Sequence, residues 1–207
     1  MSAASTGFSV VAAVALIGIG AFSYNSARMT ANAQPGAAKA VQTADGTPIN
    51  ACALLSTEEV TAAVGAPVTP GDRRDEGEVG GKGGYAPAGT YSSTCIWQFV
   101  LDTHFDADPN LPMGGKRFAI LNAMVWPKTE DAAGFLQSFR DAFKHDIIPT
   151  DPIAITSMGD EALWWGDGTA VRKGKISIGM SVFLQGGDKE AQRVMEEQLA
   201  RKILPRL

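Results

Sequence analysis

A chain of 207 residues, 45% hydrophobic and 19% charged, is long enough for one domain plus appendages and has the composition of a globular protein. Its net charge of −4, with no basic block, lacks the electrostatic footprint of nucleic-acid binding, so no nucleic-acid partner is expected. No run of like charge marks an interaction tail either.

Residues 2–27 carry no charged side chain, and the centre "FSVVAAVALIGIGAF" from Phe8 to Phe22 is almost wholly apolar. As a helix rising ~1.5 Å per residue, the stretch up to Tyr24 is long enough to cross a bilayer. Residues 8–24 are therefore the expected membrane contact, within a segment 1–27 read as an anchor. A cleaved signal is the competing reading, with "ANA" at Ala31 to Ala33 as the processing site and a secreted product. Arg28 and Lys39 follow the segment and no basic residue precedes it, a small bias towards a cytoplasmic C-terminal domain. Residues 28–48, rich in Ala, Gly, Pro and Thr, read as a flexible linker, and the folded domain is expected over 49–207.

The first helix is predicted in "STEEVTAAVG": Ser56 and Glu59 have capping-box spacing and Gly65 is a left-handed stop. The polar, glycine-rich stretch 71–92 reads as a long loop, either a binding element or disordered. Two strands follow, "STCIWQFVL" and "RFAILNAMVW", with Cys95, Trp97 and Phe99 pointing one way in the first and Phe118, Ile120 and Met124 sharing a face in the second. Between them lies a polar hairpin loop. The next helix buries Ala132, Phe135, Leu136, Phe139 and Phe143 at three- and four-residue spacing, with Thr129 as its expected cap. Turns at 166–168 and 173–174 divide the next stretch into three strands. In the last of them, Ser177, Gly179 and Ser181 form an expected outward face. The final helix is predicted to bury Ala191, Val194, Met195 and Leu199. Together these predict an α+β fold: a mostly antiparallel sheet of about five strands with three helices packed on one face, preceded by the N-terminal hydrophobic helix.

The chain has two cysteines, Cys52 and Cys95, and neither belongs to a Cys-x-x-Cys pair. The "INAC" ending at Cys52 sits about 30 residues beyond Phe22, too far for a lipobox. A nucleophile needs a nearby base and zinc needs about four ligands; the two histidines and two cysteines fit neither pattern. A disulfide fits best, with two unpaired core cysteines as the alternative. A bridge implies an oxidising compartment and outweighs the small charge bias.

"CALLSTEEVTAAVGAPV", "CIW" and "MGDEALWW" together resemble a bacterial extracytoplasmic domain family of unknown function, of the cell-envelope lipoprotein type, with a Cys-x-Leu-Leu, Cys-x-Trp, Gly-Asp-x-Ala pattern. The resemblance spans roughly residues 49–207. It implies a bridge between Cys52 and Cys95 and a location at the bacterial cell membrane, with the domain in the periplasm or cell exterior. It supplies no catalytic residues, and the missing lipobox separates this chain from the lipoprotein members.

Candidate sites are few. Asp102, His104, Asp106 and Asp108 have a spacing that could bind a metal, but the EF-hand pattern fails at Ala107 and Met113 and a solvated loop is the simpler reading. "GGKGGYA" formally matches G-x-G-x-x-A, yet no helix follows it and Gly83 stands where a phosphate loop needs Ser or Thr, so no cofactor is expected. Trp164 and Trp165 should face opposite sides of a strand, one of them exposed. With Tyr85 and Lys82 of the glycine-rich loop they are candidate contacts for a ligand or protein partner. The leading expectation is a non-catalytic binding domain. The alternatives are an accessory subunit of a membrane complex and a hydrolase built on Asp160, Glu161 and Asp167.

Overall fold

The structure, a computed structural model, describes residues 49–82, 84, 86–100, 117–184 and 188–207. The anticipated membrane segment 8–24, the linker and the loop 102–116 lie outside them. Among the described residues no helix is long and apolar enough to cross a membrane.

The domain is α+β. A 3-10 turn at Ala51–Ala53 leads into α1 (Thr57–Val64), followed by β1 (Asp72–Glu78), β2 (Tyr91–Gln98), β3 (Phe118–Val125), α2 (Thr129–Lys144), β4 (Ile153–Ala154), β5 (Glu161–Trp164), β6 (Thr169–Lys173), β7 (Ile176–Phe183) and α3 (Lys189–Ile203). The strands form one seven-stranded sheet in the order β1-β2-β3-β7-β6-β5-β4, with every pairing antiparallel.

Two strands exceed the five expected from sequence. β4 has only two residues, too short to show a period. β1, "DRRDEGE", falls inside the stretch read as a loop. It has no apolar face because it is an edge strand, exposed along most of its length. A charged edge with a bulge at Gly77 resists pairing with other chains, which is why it does not look like a strand. Beyond it the chain turns tightly: Gly80 lies so close to the backbone of Pro87 and Ala88 that a Cβ there would collide. The glycines of "GGKGG" thus serve, in part, close backbone approach.

The helices do not share one face. Ala119, Leu121 and Ala123 of β3, Ile178, Met180 and Val182 of β7, and Cys95 and Trp97 of β2 point into the main core with α1, α3 and the 3-10 turn. α2 covers the opposite face, packing Leu136, Phe139 and Ala142 on Leu163, Trp165 and Ala170. The expected outward face of β7 is accordingly buried: Ser177 accepts a hydrogen bond from Trp126 Nε1–H at 2.8 Å, and Ser181 lies beside the Trp165 ring. Small polar residues there leave room for two indoles, and that mimics a solvent-facing pattern.

The caps are partly as read. Ser56 and Glu59 form the reciprocal capping box of α1, and Gly65 ends the helix at φ 69°. Thr129, however, is the first residue of α2, and Lys128 at the N-cap makes no side-chain bond. Glu130 and Asp131 still place negative charge in the first turn, where the helix dipole favours it. The C-terminal residues close on α1: Arg206 makes a bidentate pair with Glu59 at 2.6 and 2.7 Å and also donates to Leu54 O.

Candidate functional site

Cys52 and Cys95 are bridged, with Cα atoms 5.0 Å apart. Cys95 is fully buried on the main-core face of β2, so the bridge ties the 3-10 turn to the sheet. A second tie runs beside it. Ala51 N–H donates to Ser93 Oγ at 3.0 Å, and Ser93 Oγ–H donates to Asp75 Oδ1 at 2.6 Å. Turn, β2 and edge strand β1 are thereby joined by covalent and polar links together.

The most unusual group in the domain is Glu196. It lies on α3 under the sheet-facing stripe Gln192, Glu196, Leu199, Ala200 and Ile203, and its relative exposure is 1%. Oε1 accepts the Val182 backbone N–H at 3.0 Å, and Oε2 accepts Trp164 Nε1–H at 3.1 Å. The strand register explains the first bond. β6 begins at Thr169, opposite Met180, so β7 has no ladder partner on that side once it reaches Val182. The Glu196 carboxyl supplies the acceptor that the missing strand would have supplied.

Burial pushes the Glu196 carboxyl up to about 8, against the opposing pull of the Val182 and Trp164 hydrogen bonds. The nearby cations are engaged elsewhere. Lys189 pairs with Asp167, while Arg193 bonds Glu197 at 2.9 Å and lies over the Trp164 ring, 5.7 Å from its centroid. The buried carboxyl thus has two donors and, among the described residues, no hydrogen bond from a cation.

Sequence reading missed this group because it followed the apolar residues of α3. Val194, expected in the core, is 56% exposed. A stripe drawn backwards from Ile203, Ala200 and Leu199 in steps of three and four reaches Glu196 and Gln192; that spacing was the available signal.

Trp164 and Trp165 do face opposite sides, but neither is exposed: Trp164 is 8% and Trp165 5% accessible. Trp165 stacks on Phe139 at 4.7 Å between ring centroids and fits against Gly168 and Ser181. Lys82 is exposed at the turn after β1. Tyr85 lies outside the described residues, as do Asp102, His104, Asp106 and Asp108. Among the described residues no group of three or more His, Cys, Asp or Glu is placed to hold a metal.

Of the carboxylates considered for hydrolysis, Asp160 and Glu161 share Arg172, at 2.9 and 3.8 Å, and Asp167 lies apart from them. Asp160 accepts from Arg172 Nη1 at 2.9 Å and from Gly174 N–H at 2.7 Å, which is turn chemistry at one end of β5. Glu161 pairs with Arg140 at 2.8 Å. Asp167 sits beyond the other end of β5, on Lys189.

Fold and site therefore define a disulfide-stapled α+β domain with an antiparallel sheet covered on both faces. No protein-family model matches the chain, and no curated protein matches its sequence. The motif resemblance to an envelope lipoprotein-type family is thus unmatched by a family model. Among solved structures, the chain is similar to the extracellular domain of PknH from Mycobacterium tuberculosis. Identity is 12%, the match covers 78% of this chain and 100% of that one, and the TM-score is 0.47.

Proposed function

We propose that this chain is a non-catalytic binding domain working outside the cytoplasm, held at a bacterial cell membrane through residues 8–24, with a protein or small molecule as its ligand. The observation that carries the reading is the Cys52–Cys95 bridge, which joins half-buried Cys52 to Cys95 in the main core. Structural disulfides persist in oxidising compartments and are rare in the cytosol. The non-catalytic part is supported by the state of the acids: Asp160, Glu161 and Asp167 are each engaged by a cation, and Glu196 is closed off behind α3.

The test is thiol mapping of protein isolated from its own cells under alkylating conditions, with protease accessibility of intact spheroplasts alongside. The expected outcome is a linked Cys52–Cys95 peptide and digestion of the domain from outside. Free thiols at both cysteines, or full protection from external protease, would remove the reading.

A further inference from the structure

The sheet ends in two unlike edges. β1 is charged and carries the bulge at Gly77, which guards it against pairing. β4, at the other end, has no such guard. Residues 152–159 carry no charged side chain, the register with β5 runs without a shift, and Ile153 and Ala154 are exposed. We propose that β4 is a self-pairing edge, on which a second copy of this chain adds its own β4, antiparallel, about a two-fold axis through Ala154.

The backbone phase leaves Ala154 open for it. Ile155 N–H donates to Ala162 O at 2.9 Å, and Ile153 lies opposite Trp164. Backbone groups alternate in direction along a strand, so those of Ile153 and Ile155 face β5 while the N–H and C=O of Ala154 face outwards. Pairing centred on Ala154 lets the two copies of that residue exchange both bonds. Pro152 has no N–H to offer, but its carbonyl points the same way as that of Ala154. A register centred on Ile153 or Ile155 is closed, because their backbone groups are spent on β5.

Side chains and charge fit the same register. Ile153 shares its face with Trp164, and Ile155 packs against the main core, so both lie on the α3 side. Ile153 of each copy then stands opposite Ile155 of the other, and four isoleucines meet around the axis. Asp151 is exposed and has no ion pair among the described residues. Arg201 lies over the far end of the strand, donating to Ser157 O at 3.0 Å, with Glu197 4.0 Å away. Pairing sets Asp151 of each copy beside Ser157 of the other, and so against the other's Arg201. That opposite-charge contact is made twice.

The guarded edge limits the assembly. A β4 pair leaves two charged β1 edges outside, so association stops at two copies and does not run on into a filament. The strand is short, which makes the contact small and reversible. The inference goes beyond the proposed function and rests on neither its ligand nor its compartment.

The test is cysteine trapping in the full chain, in membranes from its own cells, with copper phenanthroline as added oxidant so that the compartment does not matter. Cys52 and Cys95 are bridged to each other and do not compete. Paired Ala154 residues would stand about 5.5 Å apart at Cα, within disulfide reach. Ala154→Cys should give at least about fivefold more covalent dimer than Glu76→Cys on the exposed β1 edge. Adding Asp151→Arg, which sets like charges against the second copy's Arg201, should cut the Ala154→Cys yield by about threefold. All three side chains are exposed, so the fold is retained in each variant. No dimer at position 154, equal yields at 154 and 76, or a yield unmoved by Asp151→Arg would overturn the proposal.

Discussion

Removing the disulfide by the double substitution Cys52→Ala and Cys95→Ala gives a quantitative check on how the domain is held. The bridge closes a loop across a sequence separation of 43. On the chain-entropy model, a loop of that length restricts the unfolded chain by about 4 kcal/mol. The native state should survive, because Ala51, Ser93 and Asp75 continue to tie the turn to β2 and β1. Cys95 is packed tightly: a Cβ on Gly71 would sit 2.6 Å from its Sγ, and Trp97 is adjacent. Losing the sulfur leaves a small void, adding about 1 kcal/mol. The expected loss is therefore about 4–5 kcal/mol, a large share of the ~5–15 kcal/mol that stabilises a typical domain. Urea unfolding followed by far-UV circular dichroism measures it, and wild type under strong reductant should shift in the same direction. The urea m-value should rise, since the unfolded chain without the bridge exposes more surface. A loss below about 1 kcal/mol with an unchanged m-value would refute the reasoning, because the loop would then be constrained in the unfolded state by something else.

Three further outcomes follow from particular contacts. In Gly168→Ala the new Cβ would run into Trp165 and Ser181 Oγ, so a loss of about 1–3 kcal/mol and a changed near-UV spectrum are expected; an unaltered melting temperature would contradict the packing described. The Glu59 carboxyl is held below its ordinary value mainly by the Arg206 hydrogen bond, so its contribution is present above pH 4.5 and is lost as pH falls through the lowered value. Arg206→Ala should cost about 1 kcal/mol near pH 7 and less in acid, read from urea midpoints; an equal cost at all pH values would count against the pair. Glu196 has the opposite sign: its folded value lies above its unfolded one, so stability is greatest below about pH 4.5 and declines as pH rises to about 8. At ~1.36 kcal/mol per pH unit the decline is on the order of 4–5 kcal/mol, and Glu196→Gln should flatten it while losing about 1–3 kcal/mol, because its amide nitrogen cannot accept and leaves one buried donor unpaired.

Much of the fold could be read from residues whose own chemistry decides local structure. The Ser56–Glu59 box, Gly65, the aromatic stripe of α2 and the turns around Gly166 and Gly174 all stand where spacing put them. The failures share a cause. β1 is charged because it is an edge, β7 carries serines because two indoles need space, and α3 buries an acid because β6 stops short. In each case a partner distant in sequence fixed the residue type, and periodicity along the element could not show it. Trp164 and Trp165 are the intermediate case: adjacency on a strand gave their opposite directions, but burial of both depended on helices lying on both faces.

Those two tryptophans also explain how a four-residue strand can matter to the whole domain. Trp164 reaches α3 through Glu196 and Arg193, while Trp165, its immediate neighbour, stacks on Phe139 of α2. β5 therefore rivets one helix layer to the other through a single peptide unit. It pairs with only four residues of β6 and two of β4, so its position rests heavily on the two indoles. Each indole sits on a site with no slack. Trp165 faces a glycine that cannot gain a methyl group, and Trp164 donates to an acid that cannot cheaply gain a charge.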